Sequence, residues 1–364
     1  MSVYNIEGTQ LNAIYNALGT SLSTAYDIDT NVVFSNGPTP PTPEVEPMDW
    51  SSMLATYKAN IDDAIEYADA YLSNHANAYS FPVLTDVHDK LYNEPNYVLY
   101  NYPTSFDKFL FLGDIANAYS QSQMDNATDY MSEADVIDIL SLVGNHELGG
   151  WTEGDTLPKV WYSPLLPSSA TVMHDTDALV YYFDDTTNNV RFICLDSCTP
   201  IYKSAGTQLY TKDELEFFAS ALDSSNGKDV VLLNHAPGQS YYAVADTEKD
   251  TELSTTGITN RATLDSIINA FINRSSVTFT DDSNVSHAHD YSSVTGDFIG
   301  LIAGHTHQAG YNNANGYNVF ICPSSYYNSD AGMSVFVIDK TLKKVIFLIG
   351  YKNNADYGLY EYAY

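Results

Sequence analysis

The 364-residue sequence carries 46 acidic against 15 basic side chains, a formal net charge of −31, with 44% hydrophobic residues. That hydrophobic share supports a sizeable core and excludes global disorder. The charge argues against nucleic acid as a partner, because non-specific binding to it runs on Lys/Arg contacts to phosphate, and it equally disfavours an anionic membrane surface.

The chain opens without the basic and apolar regions of a signal peptide, and no run of about 18 apolar residues could span a bilayer. Its three cysteines, Cys194, Cys198 and Cys322, form neither an even disulfide framework nor a CxxC pair. A cytoplasmic protein is expected. From Gly8 to Tyr26, Leu11, Ile14, Tyr15, Leu18 and Leu22 fit one face of a short amphipathic helix. A Pro-rich stretch from Gly37 to Pro47 follows and reads as a semi-rigid spacer. Residues 1–47 are therefore expected to be an appendage, and residues 48–364 the main domain. The appendage could pack on that domain or attach it to a larger assembly, since it is loosely similar to leader segments of phage structural proteins. Attachment of that kind would make the protein virion-associated.

Helical spacing resumes at Met53, Leu54, Tyr57, Ile61, Ile65, Ala68 and Leu72, predicting a long helix over 50–72. Strand-like apolar runs then occupy Phe81–Thr85, Phe109–Leu112, Ile137–Val143, Val190–Leu195, Val230–Leu233, Phe298–Ala303, Asn318–Cys322, Ser334–Ile338 and Lys344–Ile349. Several are apolar throughout, as in strands covered on both faces. The last two suggest a hairpin around Asp339-Lys340-Thr341-Leu342.

Five of the runs lead into metal-ligand residue types. They are Asp86-Val87-His88, Gly113-Asp114, Gly144-Asn145-His146-Glu147, Asn234-His235 and Gly304-His305-Thr306-His307. In an open α/β architecture, sites assemble at the carboxyl ends of strands. Carboxylate and amide oxygens mixed with imidazoles suit divalent Mn, Fe, Zn or Ni; a thiolate set would suit structural zinc. Glycine before Asp114, Asn145 and His305 lets the backbone turn sharply and approach closely.

In this order the five blocks resemble the calcineurin-like metallophosphoesterase family, whose pattern is D-x-H, G-D, G-N-H-[DE], a lone H and G-H-x-H. The resemblance covers roughly residues 80–340 and implies a four-layer α/β/β/α sandwich. It implies two divalent metal ions, the first held by Asp86, His88 and His307 and the second by Asn145, His235 and His305, with Asp114 bridging. It further implies phosphomonoester or phosphodiester hydrolysis by a bridging hydroxide, with His146 stabilising or protonating the leaving oxygen.

Two positions depart from the protein Ser/Thr phosphatases of that family, which extend the second block as G-D-x-V-D-R-G. Here Asn117 stands for the aspartate that orients the catalytic histidine, and Ala118 for the phosphate-clamping arginine. A protein phosphatase of that kind is therefore not expected, and the strong negative charge points to a phosphate ester in a small or exposed substrate over a long polyanion. The alternative is an assembly-associated structural or binding protein that retains the fold. A second H-x-H, His287-Ala288-His289, lies in a polar stretch and reads as an exposed loop, or as a loop folded over the crevice to touch substrate or a third metal. Trp151, Trp161 and Tyr162 could stack on an aromatic leaving group or cap the core. The tyrosine pairs at 241–242 and 326–327 could rim a pocket or a contact surface.

Overall fold

The computed structural model describes residues 3–4, 10–11, 24–26, 32–35, 55–90, 97–98, 101–102, 105–132, 138–150, 152, 155–174, 176–199, 210–237, 241–243, 249–250, 260–313, 315–325 and 331–364. The chain divides into two compact units, Met1–Trp50 and Ser51–Tyr364. In the first, β1 (Val3–Tyr4) pairs antiparallel with β2 (Gln10–Leu11), and β3 (Thr24–Tyr26) with β4 (Val32–Ser35). The helix expected over Gly8 to Tyr26 is thus replaced by strand near both of its ends. Gly19 and the Thr/Ser residues at 20, 21, 23 and 24 are weak helix formers, and Thr favours extended pairing. The Pro-rich stretch lies outside the described residues.

The second unit opens with α1 (Ala55–Asn74). Its buried stripe of Tyr57, Ile61, Ala64, Ile65 and Ala68 is the predicted apolar face. Each large side chain in it contributes roughly 1.5–3 kcal/mol by leaving water. The stripe lies against a six-stranded sheet. That sheet contains the parallel strands β5 (Ala78–Leu84), β6 (Lys108–Phe111) and β7 (Asp138–Ser141). Beyond β5 it continues antiparallel through the later strands β19 (Gly332–Asp339), β20 (Lys344–Tyr351) and β21 (Gly358–Ala363). Between β6 and β7 comes α2 (Gln121–Ser132), and after β7 the short helices α3 (Asn145–Leu148) and α4 (Pro158–Tyr162).

A second, nine-stranded sheet has at its centre the parallel strands β10 (Val190–Cys194), β11 (Asp229–Leu233) and β16 (Phe298–Ala303). Beside them lie β9 (Tyr181–Asp185), antiparallel to β10, and β18 (Val319–Ile321), parallel to β16. The rest of this sheet is β8 (Thr171–Val172), β12 (Tyr241–Ala243), β13 (Lys249–Asp250) and β17 (Gly310–Asn312). Its outer helices are α5 (Lys212–Asp223) and α6 (Arg261–Ile272). Through α5, Arg191 of β10 donates to Ala221 O at 2.6 Å, while Phe217 packs on Tyr182 of β9 with centroids 5.9 Å apart.

The sheets face each other across an aromatic core. Phe81 meets Phe192 edge-on at 5.3 Å, and Phe336 meets Phe320 edge-on at 5.5 Å. A buried charged pair crosses the same interface: Lys108 of β6 reaches Asp185 of β9 at 2.8 Å. This is the expected α/β/β/α sandwich. It brings the carboxyl ends of β5, β6 and β7 opposite those of β11 and β16. Among the described residues no helix is long and apolar enough to cross a membrane.

Candidate metal centre

Each of the five blocks sits just past one of those five strands, and main-chain bonds tie the blocks together. In the first sheet, Asp86 N donates to Gly113 O at 3.1 Å and His88 N to Asp114 O at 2.9 Å. In the second, Gly304 N donates to His235 O at 2.9 Å. Other bonds cross between the sheets, among them His305 N to the Asp86 carboxylate at 2.9 Å and His235 Nδ1 to Leu112 O at 2.6 Å. The latter commits the Nδ1 proton of His235 to a carbonyl and turns Nε2 toward the other blocks.

Two of the glycines are required by these close approaches. A Cβ on Gly144 would overlap the Asp114 carboxylate, and one on Gly304 would overlap the Thr85 hydroxyl. The residues between them are strained. Asp86, His88, Asp89, Asp114, His305 and His307 all adopt left-handed backbone, with φ from 51° to 72°. A non-glycine residue adopts this region at a cost of about 1–3 kcal/mol, and such strain concentrates at functional sites.

The side chains gather into two groups that share Asp114. Donor atoms of Asp86, His88, Asp114 and His307 lie within 4.8 Å of one another, as do those of Asp114, His235 and His305. Asn145 joins the second group, its Oδ1 lying 2.8 Å from His305 Nδ1 and 3.1 Å from His235 Nε2. All seven sequence-predicted ligands therefore come together. The set fits divalent cations on two counts. Its oxygen and imidazole donors suit such ions. The Nε2 atoms of His88 and His307 also face one another at 3.2 Å, where a single proton, or a cation accepting both lone pairs, removes their repulsion.

Burial and charge divide the histidines sharply in the metal-free protein. Burial lowers His88 to about 4 and also lowers His305 to about 4, the latter helped by the charge on His235. Burial works against the charged form of His235 too, but the Asp114 carboxylate beside it, 3.3 Å from Nε2, pushes it up to about 10. Burial likewise opposes ionisation of Asp86 and Asp114. It is outweighed by the hydrogen bond from His307 and the charge of His235, which hold both carboxyls below their usual range.

His146 lies at the edge of the first group, its ring edge-on to His88 with centroids 4.4 Å apart. Its partner differs from expectation: Nδ1 donates to the main-chain carbonyl of Asn117 at 2.7 Å, where an Asn117 side-chain partner was expected. Sequence reasoning also assigned no role to Glu147. Its carboxylate is buried completely and accepts from Asp114 N (2.9 Å), Ala116 N (2.8 Å) and Gly144 N (2.6 Å). Burial, then the charge of Asp114, raises it to about 7. The signal for it was present in the sequence, as the acidic fourth position of the G-N-H-[DE] block and three residues beyond the Gly144 cap. Ser324, also unforeseen, donates to Asp86 O at 2.8 Å.

The second H-x-H is not an exposed loop. His287 and His289 lie in β15 (Ser286–Asp290), paired with β14 (Ser276–Thr280). Their imidazoles meet Glu216 and Asp223 of α5 and Asp281, at 2.5–3.2 Å. The alternation of Ser286-His287-Ala288-His289-Asp290 puts both rings on one face, where α5 supplies carboxylates. Tyr162 is fully buried in the core. Trp161 packs edge-on against Tyr119 at 6.4 Å. Trp151, the pair at 326–327 and the side chains of 241–242 lie outside the described residues.

The arrangement, two facing sheets with the five ligand blocks at one shared edge, is the one that the resemblance of those blocks implies. No protein-family model and no curated protein sequence matches the chain. It is similar to several solved structures. One is a candidate 5′-nucleotidase from Staphylococcus aureus in complex with alpha-ketoglutarate, at 16% identity and TM-score 0.41, covering 71% of this chain and 51% of that one. The second is an archaeal phosphodiesterase, at 11% and 0.32, covering 74% and 99%. The third is the phosphopantetheinyl hydrolase of Mycobacterium tuberculosis, at 13% and 0.33, covering 67% and 89%. The chain spans about half the length of the Staphylococcus protein. At such identities and TM-scores, the chemistry has to be read from this chain's own residues.

Proposed function

We propose that the protein is a metal-dependent hydrolase of small phosphomonoesters or phosphodiesters, working at a two-metal site. The observation that carries this reading is the pair of donor groups sharing Asp114, assembled from five separate strand ends on strained backbone. Divalent cations bound there would supply Lewis acidity toward phosphoryl oxygens and a hydrolytic nucleophile at neutral pH.

The chain's own contribution is positional. Asp86, His88 and His307 hold one side of the crevice, and Asn145, His235 and His305 the other. Glu147 locks the Asp114 and Gly144 loops together through three main-chain amides. His146 has Nδ1 engaged, so Nε2 is the nitrogen left to stabilise charge or exchange a proton at the leaving oxygen. The net charge of −31 favours a small substrate over a long polyanion.

Metal analysis joined to a panel of aryl and alkyl phosphate mono- and diesters tests the reading. Two metal equivalents per chain, activity lost to a chelator and restored by Mn²⁺, and loss in Asp114→Asn and His146→Ala are expected. A metal-loaded protein inert on the whole panel overturns it and favours a binding role for the retained fold.

A further inference from the structure

The loop carrying Asp114 continues through Ile115 and Ala116 to Asn117 and Ala118, and its main chain meets His146. A carbonyl oxygen can only accept, so the 2.7 Å contact from Nδ1 to Asn117 O places a proton on Nδ1 and leaves Nε2 for the crevice. That selection is as good as the aim of the carbonyl, which sits on an exposed loop; both Asn117 and Ala118 are exposed.

What aims it is Gln123. Its Oε1 accepts from Asn117 N at 3.1 Å and from Ala118 N at 2.9 Å. The Ala118 N–H and the Asn117 C=O belong to one trans peptide plane, on which they point in opposite directions. Drawing the N–H toward Gln123 therefore drives the C=O away from it, toward His146. Gln123 is itself placed by a packed helix. It lies in the first turn of α2, which is anchored by the buried Met124, Ala127, Thr128 and Met131, and its own N–H donates to Ser120 Oγ at 3.4 Å.

We propose that Gln123 is a positioning residue for His146, acting through the Asn117–Ala118 peptide to fix the imidazole tautomer. The role in turnover rests on the hydrolytic reading above; the role in tautomer selection does not. A carboxylate at position 117 would orient the ring and also stabilise its charge. A carbonyl aimed by an amide orients without adding charge, which is a different solution to the same geometric requirement.

The test compares Gln123→Met, similar in length and helix propensity but without an acceptor, with Gln123→Glu, which keeps acceptor oxygens at the same reach. Long-range nitrogen–proton NMR on ¹⁵N-histidine protein, with His146→Ala for assignment, reads which nitrogen carries the proton. The expected result is a single Nδ1–H form in wild type and Gln123→Glu, and an averaged signal in Gln123→Met. In Mn²⁺-loaded protein, kcat for an alkyl phosphate should fall about tenfold in Gln123→Met, within the ~10²–10⁴-fold that acid–base assistance contributes. KM and bound metal should not change, and an aryl phosphate, with its better leaving group, should be affected less. An unchanged Nδ1–H signal with unchanged kcat in Gln123→Met overturns the proposal, as does a Gln123→Glu protein equally impaired in both readouts. If the wild type cleaves neither ester, the hydrolytic reading fails, and the tautomer signal alone decides the role of Gln123.

Discussion

Glu147 offers the sharpest test of how the loops past β6 and β7 are held together. Its carboxylate takes three main-chain N–H groups, from Asp114, Ala116 and Gly144, at 2.6–2.9 Å in a site without solvent exposure. Truncation to Ala strands three buried donors, each worth about 1–3 kcal/mol when unsatisfied. Water entering the vacated space recovers part of this, so the net loss should be about 4 kcal/mol. Glu147→Gln keeps the shape and one acceptor, which can serve Asp114 N and Gly144 N, and sets an NH₂ against Ala116 N. That variant should lose about 1–3 kcal/mol. Chemical denaturation of the metal-free proteins measures both.

A pH series adds a sign to this prediction. Glu147 is raised from its ordinary 4.5 to about 7, so its contribution to stability is full below 4.5 and is lost as pH rises through 7. The deficit of Glu147→Gln against wild type should therefore narrow between pH 5.5 and 8. Glu147→Ala within 1 kcal/mol of wild type would refute the three-bond account, and a deficit widening with pH would refute the burial argument.

Three further outcomes follow from the same geometry. Asp185→Asn removes the buried carboxylate that faces Lys108 between the sheets, leaving it only the exposed Asp107, and should cost about 3 kcal/mol, while adding Lys108→Met should recover part of it; additive losses in a double-mutant cycle would deny the coupling. Divalent metal must displace the proton that Asp114 keeps on His235, raised to about 10, so apparent affinity should rise roughly tenfold per pH unit per proton released between pH 6 and 9. Calorimetry in buffers of different ionisation enthalpy counts those protons, and a count of zero contradicts the assignment. Gly144→Ala would overlap both the carboxylate and the main-chain N of Asp114, so it should shift the Asp114 loop and lower bound metal below the wild-type value at a cost of about 3 kcal/mol of stability, read by metal analysis and denaturation.

The strands that position the site were legible because their environment is extreme. Phe298–Ala303 is covered on both faces and reads as an unbroken apolar run, and the structure gives the same boundaries. β21 was not legible: it is an edge strand whose Gly358–Ala363 alternates with no apolar run, and its pairing is fixed by β20. His287 and His289 were misread for a related reason. The polar stretch around them resembles a loop until the carboxylates of α5, more than sixty residues earlier in the chain, lie against it. At the amino-terminal end, helical spacing competed with Gly19 and the weakly helix-forming Thr and Ser residues that follow it, and strand prevailed at Thr24–Tyr26.

Within the site, the divide falls between side chains and main chain. Asp86, His88, Asp114, Asn145, His235, His305 and His307 are letters that can be matched to a pattern. The groups that aim them are largely peptide units: Leu112 O for His235, Asn117 O for His146, and the amides gathered by Glu147. Every residue has such groups, so composition and spacing carry no trace of which one is used. That is why Asn117 looked like a lost orienting carboxylate, although the backbone at that position still supplies an acceptor. It also predicts tolerance. Asn117→Ala keeps the carbonyl and both N–H groups that Gln123 engages, and should leave kcat within about twofold of wild type. A loss of activity in Asn117→Ala as large as that in Gln123→Met would mean that the side chain, after all, does the orienting.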